Sequence, residues 1–473
     1  MMTTDFARGC TAPGIESASD RADGWRGAAA LRSIATLCIG AMSEPTVSCI
    51  SRFTTSFTGR HDMRIGRRPV LCAAMAAMLT AATAAAASAQ AAAGAAAAPV
   101  KLGLILDMTG PYSRNTGVGS ATAARMAIAD FGGHVLGRPI DVLIGDSKNS
   151  SDHAAALARD WLGPQGVTAI MDVTGSSEAL IVQAIANTRD RIVMLESADA
   201  ARLSNEACTA TSVHYGIDTH AIANTVGAKL VEEGDKTWFF ITVDYSFGFD
   251  LERDTAAIVE AHGGQVLGNA LYPLGASDFE SYLARAEQSG AKVIGLANGG
   301  GDLDNTIKDA ARLGMVPGRQ VLAGLALRIP GVHALGLATT QGMVLSVPFY
   351  WDLNDQTRAW SKRFFAKLGV MPDSLQAAVY SATMHYLEAV AHAGTLDAAT
   401  VMRTMREMPI HDFYASDGYI RADGVMVHPM YLFQVKTPAQ SRYPWDYFKL
   451  LATVPGDQAF LPLSQSKCPL VTQ

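Results

Sequence analysis

The sequence has few charged residues and no surplus of basic ones. Asp, Glu, Lys and Arg make up 17% of its 473 residues, and the formal net charge is −6 at pH 7. Proteins that bind nucleic acids usually carry a basic patch that contacts phosphate groups. Because no such patch stands out along this chain, we expect no nucleic-acid partner.

Catalytic motifs are also lacking. The sequence contains no Gly-x-Ser-x-Gly elbow and no His-x-x-x-His metal pair. His385 and His392 lie seven residues apart in a predicted helix. This spacing is explained more simply by a solvated or packed helix face than by a functional site. Gly117-Val-Gly119 begins like a dinucleotide fingerprint, but Thr122 occupies the place of the third glycine. The sequence therefore predicts no enzyme, no cofactor and no metal site.

One long apolar run is present, and its surroundings are typical of a secretory signal peptide. Three arginines precede the alanine-rich run from Pro69 to Ala87, and the small-x-small triplet Ala87-Ser-Ala89 ends it. A retained membrane anchor is the alternative, because the run is about long enough to span a bilayer. Alanine is only weakly hydrophobic, so we predict a cleaved signal peptide over 63–89 and export to the periplasm.

The segments around the signal peptide contribute little to the predicted fold. Residues 1–62 show no sustained apolar period and are expected to be a non-native or disordered extension, with a small extra domain as the alternative. Residues 90–99 form an Ala/Gly-rich tether. The length that remains suits two domains of ordinary size.

Cysteine becomes scarce once this leader is set aside. Of six cysteines, only Cys208 and Cys468 lie beyond residue 89. Two cysteines in an oxidising compartment indicate one disulfide, which would attach the C-terminal tail to the first half of the chain. Two unpaired buried thiols are the alternative.

Buried strands alternate with helices of about ten residues in two successive series, from Val100 to Leu195 and from Thr219 to Val347. This alternation predicts an α/β fold with two doubly wound, Rossmann-like lobes. Later helices and strands return to the lobes in turn, so each lobe is discontinuous. The expected bounds are 100–217 plus 351–424 for lobe I, 218–350 plus 425–460 for lobe II, and 461–473 for the tail.

Ligands bind such sheets at the carboxyl ends of the strands. The loops expected there are Asp107–Gly119, Val173–Glu178, Glu196–Ala201, Asp244–Gly248, Asn298–Asp302 and Gly324–Arg328. Ser176 and Ser177 begin a predicted helix and could bind an anion with its free N–H groups, or merely cap the helix. Ser197 and Ala198 follow the neighbouring strand and point to the same edge.

Aromatic and polar residues of other loops complete the candidate site. Tyr112, Tyr245 and Phe247 could cover an apolar ligand body, although ordinary packing is the alternative. Asn298 and Asp302 flank a glycine-rich loop, where Asp302 could receive a ligand ammonium or cap the following helix.

Six short motifs occur along the chain in a characteristic order. They are Thr109-Gly-Pro-Tyr112, Asn149-Ser-Ser-Asp152, Gly175-Ser-Ser177, Asp244-Tyr-Ser-Phe-Gly248, Ser277-Asp-Phe279 and Ala310-Ala-Arg-Leu-Gly314. With these motifs, the segment from about Val100 to Thr453 resembles the periplasmic solute-binding proteins of ABC importers, in the branched-chain amino-acid class. The resemblance implies a type I binding-protein fold, with two lobes joined by a three-strand hinge and a ligand in the cleft. It also implies closure of the lobes and docking of the closed form on a membrane permease.

The resemblance also implies roles for the loops. Those matching Gly175–Ser177 and Ser197–Ala200 hold the ligand carboxylate, whereas Tyr245–Gly248 and Asp302 serve the other lobe. Ala200 replaces a threonine that helps to hold an α-amino acid, so an aromatic carboxylate is an alternative ligand. We expect a monomeric transport protein that binds a small carboxylate and delivers it to an ABC permease. A periplasmic sensor acting through a separate signalling protein is the alternative function.

Overall fold

The computed structural model describes residues 97–471. The predicted extension, the signal peptide and most of the tether lie outside these residues, so those predictions stay untested. Over the described range, every helix is too short or too polar to serve as a membrane span.

Lobe I is built on a six-stranded sheet with the order β2-β3-β1-β4-β5-β6. Its strands are β1 (Val100–Leu106), β2 (His134–Val135), β3 (Arg138–Asp146), β4 (Ala169–Val173), β5 (Ile192–Leu195) and β6 (Ser212–His214). All neighbours pair in parallel except β2 and β3. The flanking helices are α1 (Gly117–Asp130), α2 (Ser151–Trp161) and α3 (Ser176–Asn187), and a short 3₁₀ turn spans Ala201–Leu203.

Lobe II is built on a seven-stranded sheet with the order β15-β14-β11-β10-β9-β7-β8. Its consecutive parallel strands are β7 (Thr237–Val243), β8 (Gln265–Tyr272), β9 (Val293–Ala297), β10 (Val321–Gly324) and β11 (Val344–Val347). One helical segment precedes them, made of α4 (Thr219–Ala223), a π-helical turn (Asn224–Ala228) and α5 (Lys229–Glu232). The other helices are α6 (Ser246–Ala261), α7 (Glu280–Gln288), α8 (Gly300–Arg312), α9 (Ile329–Leu335) and α10 (Leu337–Thr340).

The chain passes between the two sheets three times. It leaves lobe I after β6, and it returns after β11 to form α11 (Asp355–Leu368), α12 (Ser374–Ala393) and α13 (Ala398–Glu407). Helices α11 and α12 pack against α1, and α13 packs against α12. After β12 (Tyr419–Ile420) and β13 (Met426–Val427), the chain enters lobe II as β14 (Met430–Val435) and β15 (Phe448–Val454), which are antiparallel to their neighbours. The predicted doubly wound α/β fold is thus confirmed.

The apolar segment Val425–Lys436 does not form one continuous strand, because the chain breaks there into β13 and β14. Pro429 lies at the break and has no N–H to donate to a strand ladder. His428, beside it, is buried and lies edge-on to the rings of Tyr414 and Phe460. The break therefore lies at the third passage between the lobes.

The tail is attached to lobe I by a disulfide. After α14 (Gly456–Ala459) and a 3₁₀ turn (Leu463–Gln465), Cys468 is bonded to Cys208, with 5.6 Å between their Cα atoms. This pairing agrees with the predicted bridge between Cys208 and Cys468.

Candidate functional site

A small cavity of about 30 Å³ lies between the carboxyl edges of the two sheets. Both lobes contribute to its wall. The lining residues are Tyr112, Asn115, Thr116, Thr174, Ser176, Ser197, Asp199, Tyr245, Phe247, Gly299, Gly300, Ala326, Arg328 and Leu375. Among residues 97–471, no group of three or more His, Cys, Asp or Glu side chains is placed to hold a metal ion.

The wall from lobe I is rich in hydroxyl groups held in fixed orientations. Thr174 follows β4, accepts a hydrogen bond from the Asp107 N–H at 2.9 Å and donates one to Thr116 at 3.1 Å. Ser176 begins α3, and its Oγ accepts from the Ala200 N–H at 3.2 Å. The first N–H groups of a helix have no partner within the helix and favour a negative charge. This corner of the cavity can therefore bind an anionic group.

Ser197 follows β5 and is fixed by a buried carboxylate behind the wall. Its Oγ donates to Asp172 Oδ2 at 2.6 Å, and its N–H donates to Asp172 Oδ1 at 3.0 Å. Burial raises the pKa of Asp172 to about 6, while these hydrogen bonds oppose the rise. Because the hydroxyl proton points to Asp172, the Ser197 oxygen is left as an acceptor toward the cavity.

An aromatic group closes another side of the cavity. The hydroxyl oxygens of Tyr112 and Tyr245, from opposite lobes, are 2.5 Å apart. The ring of Phe247 lies 6.1 Å from that of Tyr245, centre to centre. Burial raises the pKa of both tyrosines above the ordinary value of 10, so both stay protonated at neutral pH. These rings offer an apolar surface to a ligand body.

The charged part of the wall is an ion pair between the lobes. Arg328 Nη2 lies 2.7 Å from Asp199 Oδ2, and Nη1 donates to Ser374 Oγ at 2.9 Å. The side chains of Arg328 and Asp199 are only 5% and 6% exposed. Burial raises the pKa of Asp199 to about 6, and the positive charge of Arg328 opposes that rise.

The structure brings five of the nine residues predicted from the sequence into the cavity wall. They are Tyr112, Ser176, Ser197, Tyr245 and Phe247, whereas Ser177, Ala198, Asn298 and Asp302 lie outside the lining. The Ser177 hydroxyl is 2.6 Å from that of Ser246, and Asn298 donates to Thr306. Asp302 accepts from the Gly275 N–H at 2.9 Å. Ligand contact by any of the nine stays a prediction.

Sequence reasoning missed the ion pair, although both residues lie in loops that were expected at the ligand edge. Arg328 ends the Gly324–Arg328 loop, and Asp199 lies in the Glu196–Ala201 loop. A charged residue in a loop beside a buried strand end was the available signal. Its partner lies 129 residues away, so local sequence could not reveal the pairing.

Comparisons with known proteins agree with this architecture. The family model for periplasmic binding proteins matches residues 99–441. A periplasmic binding protein from Burkholderia mallei is 46% identical, with a TM-score of 0.77 over 79% of this chain and 99% of that chain. A branched-chain amino acid ABC transporter periplasmic ligand-binding protein from Burkholderia xenovorans is 34% identical, with a TM-score of 0.72 over 78% and 99%.

A more distant structure shares the fold alone. It is an ABC transporter solute-binding protein from Rhodopseudomonas palustris in complex with benzoate, 19% identical, with a TM-score of 0.70 over 78% of this chain and 99% of that chain. A search of curated proteins gave no match.

Proposed function

The chain belongs to the periplasmic binding protein family, and on that premise we propose that it is the substrate-binding component of an ABC importer. It captures a small carboxylate-bearing ligand, an amino acid or an aromatic acid, between lobes I and II. It then delivers the ligand to an ABC permease at the inner membrane. In this proposal the protein acts as a periplasmic monomer and leaves its ligand chemically unchanged.

The cavity between the lobes is the observation that carries the proposal. Its wall joins hydroxyl groups and a helix N-terminus from lobe I to aromatic rings and a guanidinium from lobe II. A carboxylate at Ser176 would complement the N-terminus of α3. Tyr245 and Phe247 would enclose the apolar body of the ligand.

The proposed transport cycle depends on contacts that join the lobes. A ligand that touches both lobes stabilises the closed arrangement by its differential affinity for that arrangement. The relative from Burkholderia xenovorans supports the ligand class, because a branched-chain amino acid carries a carboxylate.

A thermal-shift screen against amino acids and aromatic carboxylates tests the proposal. A ligand at 100 times its Kd adds about 2.7 kcal/mol to the free energy of unfolding and raises the melting temperature. The screened ligand should also be recovered unchanged after incubation. A panel that leaves the melting temperature unmoved would contradict the proposed ligand class.

Two glycines that lie close together provide a matched control for binding in the cavity. A Cβ at Gly299 would lie 3.3 Å from Tyr112 Cε1 and 3.6 Å from Ala326 Cβ, whereas one at Gly301 meets only Pro111 O at 3.8 Å. Gly299→Val should therefore abolish the ligand-induced shift. Gly301→Val should keep it, since its Cβ would meet only Pro111 O at an ordinary contact distance and the backbone N–H that donates to Pro111 O is unchanged.

The role in transport needs a separate test in cells. Removal of the protein should abolish uptake of the ligand found in the screen, and the Gly299→Val variant should not restore it. Normal uptake together with altered expression of ligand-responsive genes would favour the sensor function.

A further inference from the structure

A second buried carboxyl group lies against Asp172, behind the wall of the cavity. Asp172 belongs to β4, and Glu196 directly follows the neighbouring strand β5. Both side chains are fully buried, and the two carboxyl groups are in contact. Two carboxylates in contact repel each other strongly where water is excluded, so they do not both ionise at neutral pH. The pair therefore holds at least one proton.

The hydrogen bonds of Asp172 indicate which carboxyl group keeps that proton. Asp172 Oδ1 accepts from the N–H groups of Ser197 at 3.0 Å and Glu196 at 3.4 Å, and Oδ2 accepts from Ser197 Oγ at 2.6 Å. Such donors stabilise the ionised form of a carboxyl group. Neither carboxyl oxygen of Glu196 has a hydrogen-bond partner of this kind within residues 97–471. The proton therefore lies on Glu196, which can donate it to the Asp172 carboxylate.

The surroundings of Glu196 favour the neutral acid. Burial raises the pKa of Glu196 well above its usual value, and the negative charge of Asp172 and the contact between the carboxyl groups raise it further. Tyr215 and Tyr414 also lie close enough for the charge of Glu196 to affect them, and burial raises the pKa of both above 10. Both tyrosines stay protonated at neutral pH, so neither supplies a positive charge to Glu196.

We propose that Glu196 is a positioning residue that acts through Asp172. As a neutral acid it donates to the Asp172 carboxylate, and Asp172 in turn fixes the direction of the Ser197 hydroxyl in the cavity wall. This inference rests on the proposed binding function and deepens it, because it extends the site to a side chain that does not line the cavity.

The pH dependence of unfolding tests the proton on Glu196 without a ligand. Above its usual pKa of 4.5, Glu196 is ionised in the unfolded chain and keeps its proton in the folded chain, so stability falls as the pH rises. From pH 7 to pH 8, the unfolding equilibrium constant of the wild type should rise by about 10-fold more than that of Glu196→Gln. This window lies above the pKa of Asp172, which is about 6. Glu260→Gln removes an exposed carboxylate from α6 and should keep the wild-type slope.

Infrared spectroscopy detects the same proton directly. At pH 8, the difference spectrum between the wild type and Glu196→Gln should contain the carbonyl stretch of a protonated carboxylic acid. A glutamate that is ionised at this pH would give only the stretches of a carboxylate.

Two replacements separate the hydrogen bond from the proton that titrates. Glu196→Gln keeps a donor for Asp172, because its amide N–H can replace the acid proton, whereas Glu196→Leu removes the donor. Calorimetric titration at pH 7 would use leucine, phenylalanine, benzoate and 4-hydroxybenzoate. For the compound that the wild type binds most tightly, Glu196→Gln should change the Kd by less than about 3-fold. Glu196→Leu should weaken binding by about 10-fold, through the loss of one buried hydrogen bond.

A double variant tests whether Glu196 acts through Ser197. Once Ser197→Ala has removed the hydroxyl, Glu196→Leu has no hydroxyl left to misdirect. The double variant should therefore bind less weakly than the two single losses together would predict.

The possible outcomes are distinct. Equal pH slopes for the wild type and Glu196→Gln, or a difference spectrum without the acid carbonyl stretch, would overturn the inference and leave the proposed function intact. Additive losses in the double variant would also overturn it. If Glu196→Leu does not fold, the pH slope and the infrared spectrum of Glu196→Gln decide. Failure of all four compounds to bind the wild type would contradict the proposed ligand class, whereas the state of Glu196 would still be decided by those two measurements.

Discussion

Although Arg328 lies in a loop, its side chain joins the two lobes. It comes from lobe II, and its two partners, Asp199 and Ser374, come from lobe I. A buried ion pair adds little net stability, because both charges lose their hydration. Removal of one partner, however, leaves the other charge buried and unpaired.

We therefore expect Arg328→Leu to lower the free energy of unfolding by about 3–5 kcal/mol and to abolish ligand binding. Arg363→Leu is the matched control, because Arg363 pairs with Asp130 at the surface, where the side chains are 52% and 30% exposed. That pair should contribute at most about 1 kcal/mol. Urea denaturation measures the free energy of unfolding of both variants. Equal losses of unfolding free energy would contradict the expectation that the buried Arg328 matters more than the exposed Arg363.

His428 gives a prediction about acid stability. Burial lowers its pKa from 6.5 to about 4, so the unfolded chain binds one more proton than the folded chain between these values. Its contribution to stability is complete above pH 6.5 and is lost as the pH falls toward 4.

In His428→Gln, the free energy of unfolding should fall less steeply over this window, by about 1.4 kcal/mol per pH unit. The difference between the two profiles measures His428 together with its effect on His214, whose pKa a charge on His428 lowers further. Urea titrations at pH 7, 6 and 5 measure it, and parallel profiles would show that His428 is not the group that titrates.

Packing between elements of lobe I depends on small residues in neighbouring strands. The ring of Trp161, at the end of α2, lies over Gly103 of β1 and Gly145 of β3. A Cβ at Gly103 would lie 2.7 Å from Trp161 Cε3 and 3.0 Å from Ile170 Cδ1. The two glycines thus form a groove that brings α2 close to the sheet.

Gly103→Ala should cost about 1–3 kcal/mol of unfolding free energy, because the added methyl group overpacks this groove. Trp161→Leu should relieve part of that cost. Denaturation of both single variants and of the double variant would then give a loss smaller than the sum of the single losses. Additive losses would mean that the methyl group clashes elsewhere.

Elements with strong local signals could be predicted closely from the sequence. Helices α11 and α12 carry such signals, since Asn354 and Asp373 cap their starts and Gly369 and Gly394, at positive φ, end them. The three-residue strand β6 was missed, because so short a strand has no detectable period.

Within the cavity wall, hydroxyl and aromatic residues were predictable because they follow strands directly. Arg328 was not, because its burial depends on Asp199 in the other lobe.

At the scale of the whole molecule, polar contacts outside the cavity also join the lobes. Arg202 of lobe I lies 2.5 Å from Asp250 of lobe II, and Arg114 pairs with Asp304. The Gly301 N–H donates to Pro111 O at 3.0 Å. These contacts favour the closed arrangement without touching the cavity, so they should contribute to affinity at a distance.

Arg202→Ala should weaken ligand binding by about 5- to 10-fold, the loss of roughly 1 kcal/mol from one contact between the lobes. Arg253→Ala is the control, because Arg253 pairs with the same Asp250 from within helix α6. Calorimetric titration should show an unchanged Kd for the control. If both variants weaken ligand binding equally, the loss of affinity comes from Asp250 within lobe II and not from the contact between the lobes.

The disulfide acts on the unfolded chain as a whole. It joins residues 260 positions apart, so its loss frees a long loop in the unfolded state. The double variant Cys208→Ser/Cys468→Ser should lose about 2–5 kcal/mol of unfolding free energy. Denaturation of the oxidised protein, the reduced protein and the double variant measures this, with the reduced protein expected to match the variant.

The same bond changes the covalent topology of the molecule. With Cys468 joined to Cys208, the chain between them forms a closed ring that passes through both lobes. A protease that cuts this ring once, even at a passage between the lobes, opens it without releasing a fragment. The nicked protein would migrate as one species on a non-reducing gel and as two fragments after reduction.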